Sequence, residues 1–344
     1  MIEGGAKSVK NHSPSACPAR SGRDHACPLS VCCRPQPGGR RVRGPARRRR
    51  GKKPGPAKGL HVARPAGATR MSREKRSFAQ EVCVKSAGKA MQKTGMLWPG
   101  CRVGVAVSGG VDSFVLLKSL KIRQGIVPFR FELMALHLNP GFDPRSHAAL
   151  LPWLAREGIA AHLEVTEFGP RAHSEENQRR SACFRCAWLR RKRLFELCAR
   201  YGLTHLALGH NAEDLVETFF MNLCRNGRVD GMSMCEPFFN GGLRLIRPLL
   251  LVEKKYILKA AKQWDLPVWA NACPSAGHTA RSAMAETLSG FYGLTRDARR
   301  CIFNGLTRWQ LDKNSLPENG RDDAPQDDAP HCGDKRKDAR GGRL

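Results

Sequence analysis

No stretch of this 344-residue chain stays apolar for the roughly 18–20 residues that a helix needs to cross a bilayer, which excludes a membrane-spanning helix. The first basic residues are not followed by the apolar core of a secretory signal, so a cytoplasmic protein is expected. Aromatic residues make up only 7% and apolar residues 41%, enough for a soluble core but not a rich one. The Walker pattern G-x-x-x-x-G-K and the dinucleotide fingerprint G-x-G-x-x-G are both missing, which removes two common phosphate-binding designs. Acidic residues are scarce too: 30 Asp and Glu stand against 59 Lys and Arg.

That imbalance is uneven along the chain. Residues 1–70 hold 17 basic and 2 acidic residues, whereas residues 315–344 are nearly balanced. The middle, 71–314, keeps 36 bases against 21 acids. A domain so basic expects a polyanionic partner, because neutralising phosphates releases their counterions. A merely solvated basic surface is the alternative. The 14 cysteines would suit a secreted disulfide scaffold, but length and the missing export signal argue against one. In a reducing compartment, clustered cysteines point to metal or sulfur chemistry.

Residues 1–70, rich in Gly, Pro and Arg and including Arg47-Arg48-Arg49-Arg50, lack apolar periodicity and are expected to be disordered. Met71 is a candidate true start, with a polybasic arm and an Arg-rich transit peptide as rival readings of the segment before it. The tail after Asn314 repeats Asp-Asp-Ala-Pro and is expected to be disordered as well. Between these tails strands and helices alternate. Strands are predicted at 102–107, 132–138, 161–165 and 204–208, and helices at 112–123, 146–157, 183–201, 212–224, 254–264 and 280–291. The pattern specifies one α/β domain over 71–314: a parallel sheet with helices on both faces and a helical C-terminal extension.

Ser108-Gly109-Gly110-Val111-Asp112-Ser113 falls between the carboxyl end of the first of these strands and a helix N-terminus, where such folds bind anions. Gly109 and Gly110 allow a tight turn that presents N–H groups, Ser108 and Ser113 add hydroxyls, and Asp112 suits a magnesium ion or a helix cap. An ordinary capped strand–helix turn is the bland reading. Gly209-His210-Asn211-Ala212-Glu213-Asp214 ends the 204–208 strand, a second site position, with Glu213 and Asp214 offering oxygen ligands. Cys183 and Cys186 form a C-x-x-C at a helix start, and Cys273 sits in a Pro-punctuated loop. Three such thiols suit a [4Fe-4S] cluster with one iron open, while a redox dithiol or unrelated buried thiols stay open. Cys198 and Cys224 read as core residues. The run Arg179, Arg180, Arg185, Arg190, Arg191, Lys192 and Arg193 reads as a nucleic-acid-binding helix or as a solvated face.

The loop SGGVDS resembles the signature of the PP-loop ATP pyrophosphatases, which have an adenine nucleotide alpha hydrolase-like fold and cleave ATP to AMP and pyrophosphate. With CFRC, GHNAEDLVETFFMNL, Arg247-Pro248-Leu249, the Cys273 loop and the segment 301–306, the chain over roughly 90–312 is similar to the tRNA 2-thiocytidine synthetase family. The resemblance implies that Cys183, Cys186 and Cys273 hold a [4Fe-4S] cluster whose open iron carries sulfur. It further implies that ATP adenylates the C2 oxygen of a tRNA cytidine, expected at position 32, and that sulfur displaces AMP.

On that reading Ser108, Gly109, Gly110 and Ser113 meet the phosphates, and Asp112 and Asp214 lie near magnesium. His137, Asn139, Gly209 and His210 complete the ATP site. The partners are tRNA and a sulfur donor such as a cysteine desulfurase, and a homodimer is open. Three features depart from the family pattern: Val111 stands where Lys is usual, Glu213 where the first Asp of G-H-x-x-D-D is usual, and the Cys273 loop reads CPSAGHTAR where C-x-x-C surroundings are usual. A 2-thiouridine synthetase, a lysidine synthetase and a zinc-stabilised RNA-binding module are the rival readings.

Overall fold

The segment 102–107 alternates bulky and slim residues: Val103, Val105 and Val107 against Gly104 and Ala106. In the computed structural model, which describes residues 60–62, 75–175, 177, 181–270, 272–275, 277 and 279–316, that alternation separates the two faces of a sheet. The three valines, all at most 1% exposed, join the larger core with Phe114, Leu117, Leu150, Trp153 and Ile257. The slim face receives a second core of Leu136, Leu138, Leu197, Cys198 and Leu206. Gly104 is needed there, since a Cβ would lie 2.7 Å from the Leu203 side chain and 2.9 Å from that of Leu136.

The strands are β1 (Leu60–Val62), β2 (Arg102–Ala106), β3 (Glu132–Asn139), β4 (Ala160–Val165), β5 (His205–Ala207), β6 (Cys235–Phe238) and β7 (Leu243–Ile246). They form one sheet in the order β1-β4-β3-β2-β5-β7-β6, parallel from β4 to β7 and antiparallel at both edges. The helices are α1 (Phe78–Thr94), α2 (Val111–Gln124), α3 (Leu150–Glu157), α4 (Phe168–His173), α5 (Ala182–Arg200), α6 (Ala212–Asn226), α7 (Lys254–Gln263), α8 (Ala280–Tyr292) and α9 (Ala298–Asn314). Residues of α1, α2, α3 and α7 build the larger core, and residues of α5 the other, so both sheet faces are covered as the alternation predicts. A third cluster, Ala212, Val216, Leu288 and Phe303, packs α6 against α8 and α9, forming the helical C-terminal extension. No helix among the described residues is long and apolar enough to cross a membrane.

Several expectations change. The predicted helix from Ser146 begins at Leu150, because 146–149 form turns in which Ser146 N–H donates to the Asp143 carbonyl at 3.2 Å. Leu60–Val62, inside the segment read as disordered, pairs antiparallel with β4. Cys198 is core, at 1% exposed, but Cys224 is exposed in the last turn of α6, beside the 41%-exposed Leu223. The remaining expectations for 1–59, 63–74 and 317–344 lie outside the described residues.

Candidate active site

Strand β2 continues to β3 on one side and has β5 on the other, so its carboxyl end is the switch point where α/β sheets open a ligand crevice. The loop 108–113 sits there and is held by its own side chains. Ser113 Oγ donates to the Gly110 carbonyl at 2.8 Å and accepts from Ser108 N–H at 3.2 Å, while Gly110 N–H donates to Ser108 Oγ at 3.3 Å. Gly110 caps α2 with no side-chain hydrogen bond, which leaves that helix end suited to an anion. Gly109 has φ +93°, and a Cβ there would fall 2.4 Å from the Trp269 ring. Glycine is required on both counts.

The second motif meets the first directly. Gly209 packs so closely on α2 that a Cβ would lie 2.9 Å from the Asp112 carbonyl carbon. Asn211 and Asp214 form a reciprocal cap on α6, and Asn211 Nδ2 also donates to Asp112 Oδ1 at 2.9 Å. Asn211 thus ties the two candidate magnesium carboxylates together. Each carboxylate also holds a base: Asp112 pairs with Lys254 and Asp214 with Arg281. Glu213 does something else. Its Oε2 accepts from Lys254 N–H at the start of α7 and its Oε1 from Arg299 on α9, both at 2.8 Å. Glu213 thereby ties α6 to α7 and α9.

His210 accepts from Arg247 Nε at 3.2 Å on Nδ1, so its proton sits on Nε2. Burial, with Arg247, Arg281 and Arg191 nearby, lowers its pKa to about 3. His137, 1% exposed, has Nδ1 2.8 Å from the Val107 carbonyl, so Nδ1 carries the proton. Burial lowers its pKa to about 4, and both rings are neutral at pH 7. The buried His137 Nε2 and Trp269 Nε1 have no hydrogen-bond partner, and their rings lie 5.5 Å apart beside the loop. Two unsatisfied polar atoms at this place suit a polar ligand such as a nucleotide. The Asn139 side chain bonds the Asp143 carbonyl, Ser146 Oγ, His147 and Gly141 N–H. These bonds organise the turn after β3.

The thiols come from two segments. Ser181 caps α5 by accepting from Phe184 N–H at 3.3 Å, which places Cys183 and Cys186 one turn apart in its first two turns. Trp269 N–H donates to the Gly109 carbonyl at 3.1 Å, and the chain reaches Cys273 four residues later. Cys186, whose pKa is raised by burial, feels Arg190, Cys273 and Cys183. All three thiols are half-buried. Among the described residues no three His, Cys, Asp or Glu side chains stand in ready metal coordination, yet the soft sulfur donors suit iron.

The basic run divides by helical phase. Arg190, half-buried, faces Cys186 and Cys273. Arg193 is bound to Glu164, with Nη2 to Oε2 at 2.9 Å, and to Glu196 at 2.9 Å. Burial opposes the Glu164 charge, but hydrogen bonds from His162 and Arg193 prevail and lower its pKa. Arg185 is half-buried, Arg191 and Lys192 are exposed, and Arg179 and Arg180 lie outside the described residues. Sequence reasoning missed Trp269 and Lys254, which no motif marks, and read Arg247 only as part of a resemblance.

Residues 82–273 match the PP-loop domain family. The tRNA-cytidine(32) 2-sulfurtransferase of Geobacter sulfurreducens is 34% identical over 195 residues, covering 56% of this chain and 76% of that protein. That of Geobacter metallireducens is 30% identical, covering 65% of this chain and 88% of that protein. Among solved structures, the U34-tRNA thiolase NcsA from Methanococcus maripaludis, with its [4Fe-4S] cluster, shares the fold at TM-score 0.55 and 21% identity, covering 68% of this chain and 80% of that one. With the SGGVDS loop at the switch point of its sheet, this chain belongs to the PP-loop family, in the branch of the tRNA 2-thiocytidine synthetases.

Proposed function

We propose that this protein is an ATP-dependent tRNA sulfurtransferase that converts a tRNA cytidine, at position 32, to 2-thiocytidine. One observation carries the reading: the segment bonded to the phosphate loop at Gly109 continues four residues later to Cys273, which lies within electrostatic reach of Cys186. This supports a nucleotide site and a sulfur-chemistry site side by side. The similarity to tRNA-cytidine(32) 2-sulfurtransferases supports the choice of substrate.

Oxygen is a poor leaving group from a pyrimidine C2. The C2 oxygen attacks the α-phosphorus of ATP, forming an O–P bond and releasing pyrophosphate. Hydrosulfide, supplied as sulfide or released by a thiol reductant from the persulfide of a donor such as a cysteine desulfurase, then adds at C2. AMP leaves with the former C2 oxygen, and the thiol proton is lost.

In this scheme the α2 N-terminus, Gly109, Gly110, Ser108 and Ser113 hold the phosphates. Asp112 and Asp214 are hard oxygen donors suited to magnesium, which would displace Lys254 and Arg281 toward the phosphates. His137 Nε2 and Trp269 Nε1 orient the nucleotide, and neutral His210 donates from Nε2. Cys183, Cys186 and Cys273 would hold a [4Fe-4S] cluster, which when bound supplies an open iron to carry sulfur. Arg190 balances negative charge at the thiols. Arg185, Arg191, Lys192 and, beyond the described residues, Arg179 and Arg180 receive the tRNA backbone.

Anaerobically prepared protein incubated with bulk tRNA, ATP and sulfide should form 2-thiocytidine, read by nucleoside mass spectrometry, only when ATP is present. The same digest separates 2-thiouridine and lysidine. Absence of 2-thiocytidine, with an iron-loaded protein, would overturn the reading.

A further inference from the structure

On α5, Trp188, Arg191, Lys192 and Phe195 recur at i, i+3, i+4 and i+7, which puts them on one stripe of the helix. This stripe is turned away from the thiols and lines a cavity of about 650 Å³ with Leu243 and Phe239 of the β6–β7 hairpin. The volume lies within the usual range of small-ligand sites. Two of its aromatic walls stay open, Trp188 at 48% and Phe239 at 67% exposed. Phe239 is presented from a turn in which it has φ +52° and Asn240 has φ +54°, a conformation that aromatic residues rarely adopt. Lys192 Nζ stands 5.8 Å from the centroid of the Trp188 ring, and Arg191 is exposed beside it. The acidic residue of the wall, Glu196, is neutralised by Arg193 at 2.9 Å.

Flat aromatic walls with cations at the rim and no unpaired anion fit a base with its phosphate. Unstacked RNA bases are recognised by stacking on such rings, while the flanking phosphates meet Arg and Lys. We propose that this cavity takes an unpaired nucleobase of the RNA substrate, splayed out near the nucleotide being modified. The reading rests on the tRNA assignment above and adds a second anchoring point to it. Lys192 lies six residues past Cys186 on α5, an axial rise of about 9 Å, and the stripe faces the other side of a helix about 10–12 Å across. A strand whose reacting base sits at the thiols would pass around α5 to set a nucleotide a few positions along it over the stripe.

Binding of fluorescently labelled bulk tRNA to the full-length protein, measured at several salt concentrations, tests this. Trp188→Ala should weaken binding roughly tenfold with an unchanged salt slope, because stacking releases no counterions. Phe239→Ala, at an exposed hairpin tip, should weaken it several-fold, and Trp188→Phe should restore most of the loss. Melting curves of Trp188→Phe and Phe239→Ala identify any effect due to misfolding. If wild type binds tRNA and both alanine variants bind it equally well, the cavity proposal is overturned while the thiolation reading stands. Wild type that binds no tRNA would overturn both. Self-association lost in Trp188→Ala, with tRNA affinity intact, would give the cavity to a second copy and overturn the proposal as well.

Discussion

The nucleotide end and the thiol end of this site are built by opposite strategies. The loop 108–113 is closed by bonds among its own residues, pinned by Gly209 from behind and by Trp269 from above. The thiols are half-buried and come from a helix start and a distant loop, with Cys186 within electrostatic reach of Cys183 and Cys273. A phosphate site can be pre-formed because backbone N–H groups are fixed by the fold. A thiol site of this kind gains its rigidity from the metal it binds. The two ends should therefore fail separately.

Cys186→Ala gives the largest expected effect. Formation of 2-thiocytidine should vanish, while ATP still raises the melting temperature as in wild type. Loss of the ATP-induced shift would show that the two ends are one cooperative unit and break the contrast. Gly109→Ala is the converse. At φ +93°, with Trp269 2.4 Å from the new methyl, the loop must shift by about an ångström, and misplacement of that order costs on the order of 10²-fold in rate. Pyrophosphate release should fall accordingly, with iron content after reconstitution unchanged. Wild-type release would mean that the loop is more plastic than its bonds imply.

Acid should act through buried histidines, His137 and His210 beside the phosphate loop and His205 at the other end of the sheet. His137, His205 and His210 have pKa values lowered by burial to about 4, 4 and 3. Between about pH 6.5 and 4 the unfolded chain takes up protons that the folded protein refuses, so stability falls as pH falls through that window. For His137 the shift corresponds to roughly 3 kcal/mol. Glu217, raised to about 7 by burial, works the other way, stabilising at low pH and losing that contribution as pH rises toward 7. Three histidines outweigh Glu217 and Glu213, whose pKa burial also raises, so the melting temperature should drop below pH 6.5, and His137→Gln should flatten the drop. A flat wild-type profile between pH 6.5 and 4 would contradict the burial argument.

What the sequence made legible follows the strength of its periodic signals. The valine alternation of β2, the apolar run of β3 and the loop between strand and helix were readable because each imposes a local pattern. α1 was not, since its buried face mixes the small Ala79, Cys83, Ala87, Gly88 and Ala90 and the polar Gln80 and Thr94 with only Val84 and Met91 as larger apolar residues, which leaves no bold stripe. The β6–β7 hairpin was hidden by its shortness and by Pro237, which an edge strand tolerates. At the site, the motif residues were legible and their partners were not. Lys254 and Arg281 reach Asp112 and Asp214 across 142 and 67 residues, and no local pattern encodes such distances. For Asn139 and Glu213 no local pattern showed which neighbours they bond, because geometry alone decides which atoms a carboxamide or carboxylate meets.

The same limit governs the basic run of α5, and a pair of variants sharpens it with the smallest effects. Composition treats Arg191 and Arg193 as equivalent, two residues apart on one helix. Helical phase separates them by about 200°, turning Arg193 onto the buried Glu164 and leaving Arg191 in solvent. Arg193→Ala leaves that carboxylate with only His162, and should cost about 1–3 kcal/mol of stability. Its tRNA affinity, measured below its melting range, and its salt slope should stay near wild type. Arg191→Ala should change stability by no more than about 0.5 kcal/mol while lowering the salt slope of tRNA binding by about one counterion. If Arg193→Ala lowered the salt slope and Arg191→Ala did not, the polyanion would lie on the Glu164 side of α5. The RNA path would then run away from the Trp188 stripe.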